Sequence, residues 1–149
     1  KKKKKLLARS VSTLLLAAAS TFAAAGEAIT VYKSPSCGCC TEWVSHLKDN
    51  GFDVTVNETD NINAIKMEAG LTRELASCHT AFTGDYVIEG HVPASDIHKL
   101  LAEAPKAKGP AVPGIPMGSP GMEMGDRQDA YTVVLFNEQG QTQPFAQYP

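Results

Sequence analysis

Three of the four cysteines in this 149-residue chain lie within four consecutive positions, as Cys37-Gly38-Cys39-Cys40, and the fourth is Cys78. Two spacings are superposed in this cluster. Cys37 and Cys40 have the C-x-x-C spacing of dithiol redox sites. Cys37 and Cys39 have a C-x-C spacing, which can hold one soft metal ion between two thiolates. Cys37 and Cys40 are therefore the candidate catalytic pair, and the same turn is a candidate metal site.

The elements around this turn are those that activate thiols. The run Ile29–Lys33 is β-branched and aromatic and predicts a strand, which Pro35 ends. A helical pattern follows over about 39–50, with a stop signal at Gly51. The partial positive charge of a helix N-terminus stabilises thiolates, the form that exchanges disulfides and binds metals. The same turn therefore serves either chemistry.

Two structural disulfides are the alternative, since four cysteines in an exported protein often pair completely. That alternative does not readily explain the crowding. Adjacent Cys39 and Cys40 are awkward partners for each other, and only Cys78 lies at a distance. One functional dithiol with further thiolate ligands fits the spacing better.

Cys78 is followed by His79, and three methionines lie in the segment GIPMGSPGMEMG. Thiolate and imidazole together select Cu(I), zinc or iron–sulfur centres, and thioethers favour Cu(I). Copper is thus the first candidate cofactor and zinc the second. The alternative for the methionines is packing on the core, since methionine fills irregular gaps. The candidate metal ligands are Cys37, Cys39, Cys40, Cys78, His79, Met117, Met122 and Met124.

The other histidines and the tryptophan carry weaker signals. His91 either lies at the mouth of the same site or is a loop histidine bonded to the backbone. His46 and His98 fall at solvent-compatible positions of predicted helices. Trp43 is expected to pack under the cysteine turn rather than to contact a substrate.

The N-terminus has the pattern of a signal peptide over residues 1–25. Lys1–Lys5 form a cationic region, Val11–Ala25 is apolar, and Ala23-Ala24-Ala25 offers small residues at the cleavage position. Gly26-Glu27-Ala28 is the alternative cleavage site, three residues further on. The apolar run is short for a membrane span, although an uncleaved anchor is the alternative. No other stretch is apolar and long enough to cross a bilayer. The pattern predicts export to a bacterial periplasm, where disulfides persist.

Charge and composition limit the kinds of protein that the mature chain can be. Six of the fourteen Lys and Arg residues lie in the first nine positions, so residues 26–149 carry eight cations against sixteen anions, a net charge of −8. Nucleic-acid binders need clustered cations, so that class is excluded. A hydrophobic content of 43% fits one globular domain over residues 26–149.

Hydrophobic periodicity predicts the order β-α-β-α-β-β-α with a C-terminal β-hairpin. A strand that leads through a cysteine turn into a helix is typical of thioredoxin-like α/β proteins, with a central mixed sheet and flanking helices. Residues 105–125 hold five of the nine prolines and three of the four methionines. We expect no regular helix or strand there, but either a long ordered loop packed on the domain or a mobile linker.

Four segments together resemble the CopG-like copper-resistance family: VYKSPSCGCCTEWVSHL, ELASCHTA, YVIEGHVPASDI and VPGIPMGSPGMEMG. The resemblance covers nearly all of the mature chain. It implies a thioredoxin-like periplasmic domain with a copper site at Cys37, Cys39, Cys40 and Cys78, supplemented by His79 and the methionines of the segment GIPMGSPGMEMG. It also implies a role in copper tolerance beside other periplasmic copper-handling proteins, with interconversion of Cu(I) and Cu(II).

Three functions are therefore considered. The first is a copper-resistance protein whose four thiolates bind Cu(I), with several ions in a bridged cluster. The second is a thiol–disulfide oxidoreductase that uses Cys37–Cys40. The third is a copper chaperone, whose acidic surface would favour a basic partner. The first two combine in a copper oxidoreductase, because Cu(I) prefers sulfur ligands and Cu(II) prefers nitrogen and oxygen.

Overall fold

The computed structural model describes residues 25–149, so the predicted signal peptide lies outside the described residues except for Ala25. Across the described part, no helix has both the length and the apolar character that a bilayer crossing requires. The elements in chain order are β1 (Ala28–Lys33), α1 (Gly38–Asp49), β2 (Asp53–Glu58), α2 (Ile62–Glu68), β3 (Thr80–Thr83), β4 (Tyr86–Glu89), α3 (Ala94–Glu103), β5 (Gly109–Ala111), β6 (Tyr131–Phe136) and β7 (Thr142–Tyr148).

The strands form one seven-stranded mixed sheet in the order β2-β1-β3-β4-β5-β6-β7. β1 and β2 are parallel and are connected through α1, whereas β3 pairs antiparallel with both β1 and β4. α3 connects β4 to β5, which is again parallel, and β6 and β7 form the C-terminal antiparallel hairpin. The predicted thioredoxin-like α/β fold with a terminal hairpin is confirmed.

The core forms where α1 packs on the centre of the sheet. β1 alternates, so Ile29 and Val31 are buried on one face. α1 buries Trp43, Val44 and Leu47, which lie on one side of the helix. The helix stops before Gly51, whose φ of +87° is the left-handed conformation that glycine adopts without strain. The cysteine turn is thus held between a buried strand and a buried helix.

The expectation that residues 105–125 contain no strand is wrong at β5, which spans only three residues. Pro110 lacks an N–H, but it fits inside the sheet because residues on either side of it make the hydrogen bonds to β4 and β6. Lys108 donates its N–H to the carbonyl of Phe136 and accepts from Val87, and Val112 donates to Glu89. Gly109 leaves the space that this approach needs, since a Cβ there would fall 1.6 Å from the Val87 oxygen.

The rest of residues 105–125 forms an ordered loop packed on the domain. Of the two alternatives considered for this segment, this is the first, and the mobile linker is the second. Ser119 is fully buried, and its hydroxyl donates to the carbonyl of Pro116 at 2.6 Å. The amide of Met122 donates to Ser119 at 2.7 Å, and the amide of Gly118 donates to Met122 at 2.8 Å. These internal bonds fix a compact loop, called here the methionine loop (residues 112–125).

Candidate metal centre

All four cysteine sulfurs meet at one end of α1. Cys37 immediately precedes the helix, Cys39 and Cys40 lie in its first turn, and Cys78 lies in the segment that leads into β3. The four Sγ atoms all lie within 4.8 Å of one another. The Cys39 sulfur is central, at 3.6 Å from the Cys37 sulfur and 3.9 Å from the Cys78 sulfur. The topology therefore brings the distant Cys78 to the predicted cluster.

The cysteines are in two oxidation states. Cys37 and Cys40, the pair with C-x-x-C spacing, form a disulfide. Cys39 and Cys78 are free thiols, both partly accessible to solvent. The arrangement differs from the alternative with two disulfides, because two thiols lie next to one reducible bond. Reduction would place four thiols in the same space.

Two histidines face the Cys78 sulfur from the other side. His91 Nε2 lies 3.1 Å from Cys78 Sγ, and His79 Nδ1 lies 3.4 Å from it. Both rings are fully buried. Cys78 is thus shared by two donor sets, one of four sulfurs and one of a sulfur with two imidazole nitrogens.

Backbone carbonyls fix the tautomers of both rings. His79 Nε2 lies 2.9 Å from the Gly90 oxygen, and His91 Nδ1 lies 2.7 Å from the Pro120 oxygen. Because a carbonyl oxygen only accepts, each of these nitrogens carries the proton. In the neutral rings His79 Nδ1 and His91 Nε2 keep free lone pairs directed at Cys78. Metal-binding histidines are commonly oriented in this way.

Burial favours the uncharged forms of the Cys78 thiol and of both imidazoles. Desolvation lowers the pKa of His91, and desolvation followed by the neighbouring His91 lowers the pKa of His79 well below its usual value. Burial, with Cys39 as the second cause, raises the pKa of the Cys78 thiol to about 12. At neutral pH Cys78 therefore holds its proton beside two neutral imidazoles, and a metal cation that binds there must displace that proton.

Trp43 packs against His79 and holds its ring in place. Its ring is fully buried against His79, with ring centroids 4.2 Å apart, and its Nε1 donates to the carbonyl of Val92 at 2.9 Å. The prediction that Trp43 packs under the turn agrees with this position. His46, predicted on the surface, is instead half-buried and accepts the N–H of Ala94 at the start of α3.

The methionine loop contacts the site through its backbone. Pro120 provides the carbonyl for His91, and a Cβ on Gly121 would lie 2.7 Å from the Cys39 oxygen and 2.9 Å from the Trp43 nitrogen. Gly121 also has a φ of +88°. A residue other than glycine could not bring the loop this close to the cysteine turn.

The predicted methionine ligands differ in exposure. Met117 and Met122 are partly buried, and Met124 is 61% exposed. The amide of Met117 donates to the Asp129 carboxylate at 3.1 Å, which ties this end of the loop to the segment before β6. The loop thus carries its thioethers on a backbone that is fixed at both Met117 and Pro120.

Two polar residues near the site carry no metal-ligand signal in the sequence. Glu89, at the end of β4, and Lys66, on α2, form a buried ion pair next to the Cys78 segment. Glu89 is the charged residue at the end of the apolar run YVIE, and this is the one sequence feature that could have indicated its role. Lys66 has no such feature, because a lysine on a short helix is ordinarily exposed.

A family model described as a protein of unknown function, DUF411, matches residues 75–122, which include Cys78, His79 and His91. None of the curated proteins matches the chain.

Two solved structures match the fold and most of the sequence. They are described as copper resistance protein CopG, form 2 and form 1, and each is 48% identical to this chain. Each match covers 83% of this chain, with 99% and 98% of the solved chains covered and TM-scores of 0.79 and 0.78. With nearly the whole length of those proteins matched at this identity, the chain belongs to the CopG family of copper resistance proteins.

Proposed function

We propose that this protein confers copper resistance by binding Cu(I) through Cys37, Cys39, Cys40 and Cys78, with more than one ion per reduced chain. The observation that carries the proposal is the approach of all four Sγ atoms to within 4.8 Å of one another. Thiolates are soft ligands that select Cu(I). The related solved structures are described as copper resistance proteins, which supports the choice of metal.

Several ions fit this sulfur arrangement better than one. A central thiolate such as Cys39, with neighbours at 3.6 and 3.9 Å, can bridge two ions that its neighbours also bind. His79 Nδ1 and His91 Nε2 add nitrogen donors on the Cys78 side. Met117, Met122 and Met124 in the methionine loop are the candidate thioether donors. Zinc, which also binds sulfur and imidazole, is the competing metal.

An anaerobic titration of the reduced protein with Cu(I), against a competing chelator, tests this proposal. We expect more than one tightly held ion per chain, and fewer ions in each of the variants Cys37→Ser, Cys39→Ser and Cys40→Ser. Ser45→Ala, an exposed change on the same helix, is the matched control and should bind as the native protein does. Absence of tight Cu(I) binding would overturn the proposal.

The same site is proposed to act as a copper oxidoreductase. Two Cu(II) ions each accept one electron, the Cys37–Cys40 dithiol becomes the disulfide, and two protons are released. The observation that favours this step is the disulfide itself, with the Cys39 sulfur 3.6 Å from Cys37. Sulfur ligands suit the Cu(I) product, while the imidazoles of His79 and His91 suit Cu(II).

Stoichiometry and rate test the redox step. Reduced protein mixed anaerobically with Cu(II) should yield two Cu(I) ions for each disulfide formed. Reoxidation of the copper in air should differ in rate between the native protein and Cys78→Ser, because Cys78 belongs to both donor sets. Equal rates would count against the step.

A thiol–disulfide oxidoreductase is the second candidate, favoured by the reducible Cys37–Cys40 bond at a helix N-terminus. An insulin-reduction assay without copper distinguishes the two candidates. Turnover that is lost in Cys37→Ser would favour this function, and we expect none above the rate with free dithiol.

The site is proposed to operate in the periplasm, after removal of residues 1–25. Fractionation of cells, followed by mass measurement of the intact protein, should find a mature chain that begins near Gly26 in the periplasmic fraction. A full-length chain retained with the membranes would instead support the uncleaved anchor.

Substitution Gly121→Ala should weaken Cu(I) binding by about 10- to 100-fold, the usual effect of losing a group that orients a ligand. The added methyl group cannot fit 2.7 Å from the Cys39 oxygen, so the loop must move and release His91 from Pro120. Gly125→Ala is the matched control, since Gly125 also has a positive φ but has open space around its Cβ position. Equal losses in the two variants would show that backbone strain alone is responsible.

A further inference from the structure

Glu89 is a fully buried carboxylate whose oxygens are all engaged within the protein. Oε1 accepts hydrogen bonds from Lys66 Nζ and from the backbone N–H of Ser77, the latter at 2.7 Å. Oε2 accepts from the Thr80 hydroxyl at 2.6 Å. Lys66 Nζ also donates to the Thr80 hydroxyl oxygen at 3.0 Å. Glu89 belongs to neither of the two donor sets at the cysteine cluster.

Two of the residues that donate hydrogen bonds to this carboxylate lie on either side of Cys78 in the chain. Ser77 comes immediately before Cys78, and Thr80 follows two residues after it. Thr80 lies directly opposite Glu89 in the β3–β4 ladder, so the register of the sheet places the two side chains together. Beyond them, Gly90 donates its N–H to the His79 carbonyl at 3.1 Å, and Ser77 Oγ donates to the Gly114 carbonyl at 2.6 Å.

We infer that Glu89 is a positioning residue that holds the Cys78 thiol against the cysteine turn, and that Lys66 is the counterion that makes this carboxylate tolerable beside a cluster of thiolates. The inference rests on the proposed Cu(I) site. Cys78 lies in a segment without helix or strand, so its backbone amides have no ladder partners there. The hydrogen bond from the Ser77 N–H to Glu89 supplies one.

Lys66 explains how a negative group is kept at this place. A buried carboxylate without a counterion is strongly destabilising, and its field would oppose the build-up of thiolate charge at Cys39 and Cys78. Lys66, on α2, neutralises the negative charge of the carboxylate. Oε1 accepts from Lys66 and from the Ser77 N–H at the same time. Removing one partner of the pair would leave an uncompensated buried charge, so single variants are poor tests.

Two neutral double variants isolate the hydrogen bond to Ser77. Lys66→Met with Glu89→Gln removes both charges but keeps an oxygen acceptor for the Ser77 N–H. Lys66→Met with Glu89→Leu removes both charges and the acceptor. We expect Cu(I) affinity within about threefold of native in the first and about 10- to 100-fold lower in the second. Asp96→Asn, a buried carboxylate bonded to Tyr148 instead, is the control for a general effect on folding.

The same comparison in a Cys78→Ser background decides whether Glu89 acts through Cys78. The difference between the two double variants should vanish there, since the ligand that Glu89 positions is gone. A difference that persists at full size in this background would overturn the inference. So would equal Cu(I) affinity of the two double variants with Cys78 present.

A copper-free measurement separates this inference from the proposed function. With Cys37→Ser and Cys40→Ser in place, glutathione disulfide oxidises Cys39 and Cys78 to one disulfide and yields two reduced glutathione molecules. The equilibrium reports how closely the two sulfurs, 3.9 Å apart, are held. The Glu89→Leu double variant should lower their effective concentration by about tenfold relative to the Glu89→Gln one. Equal values would refute the positioning role, whether or not the native protein binds Cu(I).

Discussion

Replacing Cys78 with Ser should lower the Cu(I) affinity of the reduced protein by more than about 100-fold, beyond the 10- to 100-fold that loss of an orienting partner costs. Cys78 is the one cysteine common to both donor sets, with sulfur neighbours on one side and two imidazole nitrogens at 3.1 and 3.4 Å on the other. Serine keeps the size of the side chain but replaces a soft ligand with a hydroxyl. Competition against a Cu(I) chelator measures the change.

Cys37→Ser provides the matched comparison, because Cys37 belongs to the sulfur set alone. It should cost less affinity than Cys78→Ser does, and circular dichroism should be native in both variants. An equal or smaller loss for Cys78→Ser would show that the two imidazoles take no part in binding.

Reduction of the Cys37–Cys40 disulfide should at least double the number of Cu(I) ions that the protein holds tightly. With the disulfide intact, two thiols remain, at Cys39 and Cys78. Reduction releases two more sulfurs in the same space, and only then can thiolates bridge several ions. Cu(I) bound per chain, measured together with the thiol count for oxidised and reduced samples, tests this expectation.

The double substitution Cys37→Ser with Cys40→Ser is the control for this redox dependence. It cannot form the Cys37–Cys40 disulfide, so after reduction, with Cys39 and Cys78 as its two thiols, its Cu(I) count should match that of the oxidised native protein. A native protein whose Cu(I) count is unchanged by reduction would place the copper away from Cys37 and Cys40.

Much of the fold could be predicted because its strongest elements have clear local patterns. The predicted order of elements is that of the structure, apart from the added strand β5. Apolar residues at helical spacing in α1, and β-branched and aromatic residues in β1, left little ambiguity. The short strand β5 could not be predicted, since its hydrogen bonds depend on β4 and β6 and its own residues, Gly109 and Pro110, disfavour strands.

The site could be predicted where the residue types themselves indicate the chemistry. The crowding of Cys37, Cys39 and Cys40 indicated a thiol site, and the family resemblance implied that Cys78 belongs to it. The environment of His91 was not predictable. Its donor nitrogen is set by the carbonyl of Pro120, 29 residues further along the chain. Only the path of the methionine loop, fixed by the close approach of Gly121, brings that carbonyl to the ring.

The buried pair of Lys66 and Glu89 illustrates a second limit. Each residue alone has a charged side chain of a type that is mostly exposed, and nothing in the local pattern pairs them across 23 positions. The packing of α2 on the sheet creates the pair. Tertiary structure, not local sequence, therefore determines the groups that orient the candidate ligands.

X-ray absorption at the copper edge, on reduced protein loaded with Cu(I) and desalted, tests most directly whether the gathered sulfurs form the copper site. The structure leads us to expect a first shell dominated by sulfur, with copper–copper scattering from ions that share a thiolate. A first shell of nitrogen and oxygen alone, or protein that emerges from desalting without copper, would contradict the account.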